Sequence, residues 1–118
     1  MAHFKFERLK VWNLAMDLGE DVHAIISKNF PDKERYNLSS QMMRAVDSIA
    51  LNIAEGAIAQ SDPEQKKFLA YAIRSLAETV TCLHKAKRRS YITDGLFDDL
   101  YERCYNLMNM TIAFRKKV

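Results

Sequence analysis

From Leu9 onward, apolar residues recur at steps of three and four. Val11, Ala15, Leu18, Val22, Ile25 and Ile26 fall on one side of a helix predicted over 9–29, and Pro31 stops it. Over 38–60 the stripe continues as Leu38, Met42, Ala45, Ile49 and Ile53, with Asn37 as the cap and Gly56 as a weak point inside the helix. The run Ser61-Asp62-Pro63-Glu64-Gln65 opens a third helix over 63–91. Asp62 suits the N-cap, Pro63 the first helical position and Gln65 the reciprocal capping position. This helix carries Phe68, Leu69, Ala72, Leu76, Val80 and Leu83. Thr93-Asp94-Gly95 opens a fourth over 94–117, with Phe97, Leu100, Cys104, Leu107 and Phe114 on its stripe. Short connections force each helix to turn back on the last. The pattern therefore predicts an all-α, antiparallel up-down-up-down four-helix bundle, a single domain over 1–118.

Length and composition agree with this and narrow the alternatives. A chain of 118 residues suits one domain with its own core. Three glycines and two prolines are too few turn-formers for a many-stranded sandwich or barrel. With two cysteines, no charged-then-apolar leader and no apolar run near 18 residues, the sequence points away from secretion, disulfide scaffolds and membranes, and the expected address is the cytoplasm. Cys82 and Cys104 lie at similar distances from the turn near Ile92, close enough in a bundle to be neighbours. Two reduced, buried thiols are expected rather than a redox pair.

Two helices carry more apolar surface than one core absorbs. On the fourth, Tyr101, Tyr105, Met108 and Ile112 form a second row beside the core row. On the second, Ala50, Leu51, Ala54 and Ile58 fall away from the core stripe, and Glu55 is the only charge between Ser48 and Ala59. The expectation is a homo-oligomer with these eight residues at the interface. The alternative is a bundle that buries them internally.

Polar residues also sit at the edge of the core. Gln41, Arg44, Ser48, Asn52 and Glu55 on the second helix face Ser75 and Glu78 on the third, with Arg44 or Arg74 available to neutralise the carboxylates. A hydrogen-bond network fixing helix register is favoured over a chemical site. Catalytic constellations are not found. Glu20-x-x-His23 resembles half of a di-iron ligand set but points away from the core stripe, and Cys82-x-His84 alone is weak. No phosphate-cradling glycine loop or nucleophile motif is present. No metal, cofactor or enzymatic activity is expected.

The net charge is +3, mild for a dedicated nucleic-acid binder. Its distribution says more. Lys67, Arg74, Lys85 and Arg89 share a sector of the third helix with Tyr71, and Lys87 and Arg88 crowd its end. Antiparallel topology gathers Lys5, Arg8, Lys10, Lys66, Lys67, Arg115, Lys116 and Lys117 at one end of the bundle. Candidate nucleic-acid contacts are therefore Lys67, Tyr71, Arg74, Lys85, Arg88, Arg89, Arg115, Lys116 and Lys117, with Tyr71 able to stack on an unpaired base. The ordinary alternative is a solvated face whose cations complement helix C-termini.

Several of these residues together resemble a known family. Phe6-x-x-Leu9-x-Val11-Trp12, Tyr36-x-Leu38-x-x-Gln41, Arg44-Ala45, Ser48-Ile49, Asn52-Ile53-Ala54-Glu55-Gly56 and Ser75-Leu76-x-Glu78 are similar to the 23S rRNA-intervening-sequence proteins, whose relatives include accessory proteins of diversity-generating retroelements. The resemblance spans nearly the whole chain, and Asn-Ile-Ala-Glu-Gly is its most specific run. It implies a four-helix bundle assembling as a ring-like homopentamer and supplies no catalytic residues. For a retroelement-linked member it also implies RNA or DNA and a reverse transcriptase as partners. The combined expectation is a non-enzymatic, nucleic-acid-associated binding or scaffold protein. The competing expectation is a protein–protein interaction module without a nucleic-acid role.

Overall fold

The computed structural model describes residues 2–118. Four helices form its body: α1 (Lys10–Asn29), α2 (Leu38–Ala57), α3 (Asp62–Arg88) and α4 (Asp94–Lys116), with short 3₁₀ turns at Lys5–Arg8 and Asp32–Glu34 that periodicity did not announce. Around the bundle, α1 packs on α2, α2 on α3, α3 on α4 and α4 back on α1, with no diagonal pair in contact among the described residues. The direction alternates at every step. Ser48 meets Ser75 while Gly56 meets Gln65 and Phe68, and Arg115 near the end of α4 donates to the Lys66 carbonyl near the start of α3 at 2.9 Å. The body measures 43 × 24 × 24 Å.

Helix ends follow local chemistry, in places shifted from the sequence expectation. Phe30 is extended ahead of Pro31 and ends α1. Asn37 occupies the N-cap position of α2 but makes no cap bond, because its amide donates to Glu34 instead, at 3.0 Å. α2 stops at Ala57 rather than 60, since the chain must reach Ser61 in extended conformation (φ −148°, ψ 157°). Ser61, not Asp62, caps α3 by accepting from the Glu64 amide at 3.3 Å, which puts Pro63 in the second helical position. Thr93 caps α4, accepting from the Leu96 amide at 3.1 Å.

α3 ends at Arg88 rather than 91. Its C-terminus is a Schellman turn in which the Tyr91 amide donates to the Ala86 carbonyl at 2.9 Å and the Ser90 amide to Lys87 at 3.0 Å. Ser90 takes the left-handed conformation (φ 64°) that this turn demands, where glycine is the usual choice.

The predicted stripes form the core, with Val11, Leu18, Val22, Leu38, Met42, Ile49, Ile53, Leu69, Leu76, Leu83, Leu100 and Leu107 all buried. Val46, Ala50, Cys82 and Ala86 join them. Thr79 and Thr111 are also buried, each returning its hydroxyl to the carbonyl four residues back, Ser75 and Leu107 respectively. Among the described residues, no buried side-chain polar atom lacks a partner.

α2 and α3 pack tightly at Gly56. A Cβ placed there would lie 3.3 Å from the Gln65 carbonyl oxygen and 3.4 Å from the Phe68 Cβ. Gly56 is thus a contact point in the last turn of α2, not a weak point in mid-helix.

Candidate functional site

Ser48, Asn52 and Ser75 form the centre of the α2–α3 edge. The Asn52 amide donates to both the Ser48 carbonyl and the Ser48 hydroxyl at 2.8 Å. From α3, Ser75 is 2.8 Å from the same Ser48 oxygen and 3.0 Å from the Tyr71 carbonyl, and Thr79 donates to the Ser75 carbonyl at 2.9 Å. The ladder ties a half-buried edge together and leaves no nucleophile activated by a base. Gln41, Arg44, Glu55 and Glu78 make no side-chain hydrogen bond or ion pair with other described residues. Arg74 does not neutralise a carboxylate: its guanidinium lies over the Tyr71 ring, 5.5 Å from the centroid.

α3 also presents the basic stripe. Lys67, Tyr71, Arg74, Lys85 and Arg88 succeed one another at steps matching one helix face, interrupted by Glu78. Lys67, Tyr71, Arg74 and Arg88 are exposed and Lys85 is half-buried. The Lys67 ammonium sits 5.1 Å from the Phe68 ring centroid, and the Phe68 and Tyr71 rings meet edge-on at 6.0 Å. None of these cations pairs with a carboxylate among the described residues. At the basic end of the bundle Lys116 and Lys117 are exposed, whereas Arg115 is engaged with the Lys66 carbonyl.

Arg89 stands apart from the stripe. Its guanidinium donates to Glu34 Oε2 at 2.9 Å, and the Tyr91 hydroxyl donates to the same oxygen at 2.6 Å. Glu34 is 5% exposed, so this clasp binds the α1–α2 connection to the α3–α4 connection. Tyr91's hydrogen bond above all, then Asn37, the Leu38 backbone and Arg89, hold the Glu34 carboxyl below its usual pKa against the opposing effect of burial. The same bond and burial push the Tyr91 phenol up. Nothing local in the sequence marks this carboxylate, because Arg89 and Tyr91 lie 55 and 57 residues away.

The apolar rows are placed unevenly. Leu51 (65% exposed), Ile58 (66%) and Tyr105 (55%) project into solvent, as does Tyr101, while Ala54, Met108 and Ile112 are half-buried. Ala50, expected at an interface, is instead buried at 7% in the chain's own core. It faces α1, beside Ala15 and Gly19. Leu51 and Ala54 flank a groove of about 400 Å³ between α1 and α2, floored by Ala15, Gly19 and Val46. Tyr101, Tyr105 and Met108 flank a smaller one of about 240 Å³ between α3 and α4.

His23, from the Glu20-x-x-His23 pair, contacts Asp47 at 2.8 Å, linking α1 to α2. Among the described residues there is no group of three or more His, Cys, Asp or Glu that could hold a metal ion. Both cysteines are free and buried; burial raises the Cys82 thiol pKa and pushes that of Cys104 to about 11. No helix among the described residues is long and apolar enough to cross a membrane.

A sequence profile of the 23S rRNA-intervening sequence proteins matches residues 7–113. The chain belongs to that family. Its fold is shared by a crystal structure of a protein of unknown function from the S23 ribosomal protein family of Bacteroides thetaiotaomicron, with a TM-score of 0.83 over 90% of this chain and 95% of that one, at 22% identity. No curated protein is similar enough to match. In this 23S rRNA-intervening sequence protein, the Asn52–Gly56 run does two physical jobs. Asn52 closes the ladder to Ser48, and Gly56 admits the first turn of α3.

Proposed function

We propose that this 23S rRNA-intervening sequence protein is a nucleic-acid-associated scaffold that acts without catalysis, as a homo-oligomer, with α3 presenting its phosphate-contacting surface. The observation that carries the reading is the row of Lys67, Arg74, Lys85 and Arg88 on one face of α3, free of acidic partners among the described residues and interleaved with Phe68 and Tyr71. Cations held over aromatic rings are partly ordered before a phosphate arrives, so less side-chain freedom is lost on binding. Exposed Lys116 and Lys117 lie at the same end of the bundle as Lys67 and extend the surface. The family description, tied to inserts in 23S rRNA, is in keeping with such a partner. The projecting Leu51, Ile58, Tyr101 and Tyr105 support an oligomer, and a pentamer is the state the family resemblance implies. Arg89 and Arg115 are left out of the proposed contact surface because each is already engaged within the chain.

The apolar groove between α1 and α2 favours a second reading, a protein–protein interaction module without nucleic acid. Salt separates the two. Four phosphate contacts by single-stranded nucleic acid give a slope of log affinity against log salt near ~−3. Fluorescence anisotropy with labelled RNA and DNA at two salt concentrations, and light scattering on the same sample, tests both halves. Binding that weakens with salt and with Lys67→Glu/Arg74→Glu is the expected result. Absence of binding at low salt from intact protein overturns the nucleic-acid reading, and a monomer mass at micromolar concentration overturns the oligomer.

A further inference from the structure

We infer that the nucleic acid taken by α3 is single-stranded, lying extended along the helix with a base stacked against the Tyr71–Arg74 pair. The inference rests on the reading of α3 as a phosphate-contacting surface and adds the form of the ligand.

Shape is the first reason. Lys67, Tyr71, Arg74, Glu78, Thr81, Lys85 and Arg88 follow one another at alternating steps of four and three. Such a row runs almost parallel to the helix axis, drifting by only ~20° every seven residues. From Lys67 to Arg88 it is about 31 Å long. A duplex strand winds about its own axis and meets a straight row of cations only where it crosses it. An extended single strand keeps to the line of such a row and meets its basic stretches in turn, over roughly four to eight nucleotides, the short end of the range for such surfaces.

The second reason is access. A B-form major groove, about 12 Å wide, admits one helix, and the A-form major groove is narrower still. α3 is flanked by α2 on one side and α4 on the other, in a body 24 Å across. With α2 and α4 running alongside, α3 has less freedom to seat in a groove than a helix that projects from its domain.

The third reason is chemical. Tyr71 is 37% exposed, and the Arg74 guanidinium lies 5.5 Å from its ring centroid. A ring and a guanidinium plane together form a stacking platform for a base whose faces are uncovered. In a duplex both faces are covered by neighbouring pairs. Two stretches of the row, Lys67–Arg74 and Lys85–Arg88, are basic, while Glu78 between them repels a phosphate. The platform therefore belongs to the Lys67 stretch.

The test compares a labelled mixed-sequence RNA strand of about 12 nucleotides with the same strand annealed to its complement, by anisotropy at low salt and fixed protein concentration. The proteins are wild type, Tyr71→Phe, Tyr71→Leu and Lys67→Ala. The single strand is expected to bind at least about tenfold tighter than the duplex. Tyr71→Leu, which keeps an apolar side chain but no ring, weakens it by about 5- to 150-fold, the span of base–aromatic stacking. Tyr71→Phe keeps the affinity, and Lys67→Ala lowers the salt slope by about 0.7. Duplex binding as tight as single-strand binding, or a Tyr71→Leu protein that binds like wild type, overturns the single-strand inference and leaves the nucleic-acid surface standing. Failure of wild type to bind either form overturns both.

Discussion

Ser90→Gly should stabilise the bundle. Ser90 is the only non-glycine among the described residues with positive φ, at 64°, and the turn it occupies satisfies the last carbonyls of α3 through the Tyr91–Ala86 and Ser90–Lys87 bonds. An L-residue in that conformation pays about 1–2 kcal/mol, which glycine does not. Glycine in turn gives the unfolded chain more freedom, returning roughly 0.5–1 kcal/mol. The net gain is about 0.5–1 kcal/mol, or a rise of roughly 2–5 °C in Tm for a domain of this size. Urea unfolding at fixed protein concentration, followed by circular dichroism, should show a higher midpoint with an unchanged slope. Ser90→Ala serves as the control: the Ser90 hydroxyl makes no hydrogen bond to other described residues, so removing it should change little. Ser90→Val should cost more than 1 kcal/mol, because a β-branched residue tolerates this region least. A Ser90→Gly protein no more stable than Ser90→Ala would refute the assignment of strain to this position.

Further outcomes follow from other contacts. Gly56→Ala should be close to neutral, since a helix-propensity gain of about 1 kcal/mol meets a 3.3 Å approach to a backbone oxygen that cannot swing aside. Gly56→Val should cost about 1–3 kcal/mol by overpacking the α2–α3 contact, read in thermal melts. Ser48→Ala removes the Ser48 hydroxyl from Asn52 and Ser75, which keep the Ser48 and Tyr71 carbonyls as acceptors, and should cost about 0.5–1.5 kcal/mol. Thr81→Ala, removing a bond to Ala77 on an exposed face, should stay within about 0.5 kcal/mol. The lowered pKa of Glu34 means that its contribution is complete above the ordinary value of 4.5 and is lost as pH falls through the folded-state value. Wild type should therefore lead Glu34→Gln in stability at neutral pH, with the gap closing in acid; a gap that stays constant down to low pH would count against the clasp. At the alkaline end Tyr91 acts in the opposite sense, its raised pKa making its contribution fade as pH climbs through the folded-state value above 10.

The helices were legible because a buried face imposes its period on the residues that line it. Val11, Ala15, Leu18 and Val22 could be read without knowing what they touch. The Schellman turn was hidden because serine, not glycine, takes the left-handed position. The shift of the α3 cap from Asp62 to Ser61 reflects two adjacent residues of similar capping strength, decided by backbone direction rather than residue type. The polar edge was half readable. Spacing put Ser48, Asn52 and Ser75 together, but whether Arg74 reached a carboxylate or an aromatic ring depended on rotamers that sequence does not encode. Glu34 carried no local signal at all, since its partners reach it only once α3 has turned back. Ala50 looked superfluous on a helical wheel that counted one core stripe for α2, whereas a bundle corner buries α2 against both α1 and α3.

The Glu34 clasp also bears on the order in which the bundle comes apart. Contacts between successive helices close short loops and form early, whereas the clasp and the α1–α4 seam join segments far apart in the chain and cost the most loop entropy to close. Hairpins of successive helices, with α2–α3 sharing the broadest contact, are thus natural early units, and the clasp is the latch shut over them afterwards. Loosening it should leave the folding rate almost unchanged and quicken unfolding, so the lifetime of the native bundle is set at the end away from the basic cluster.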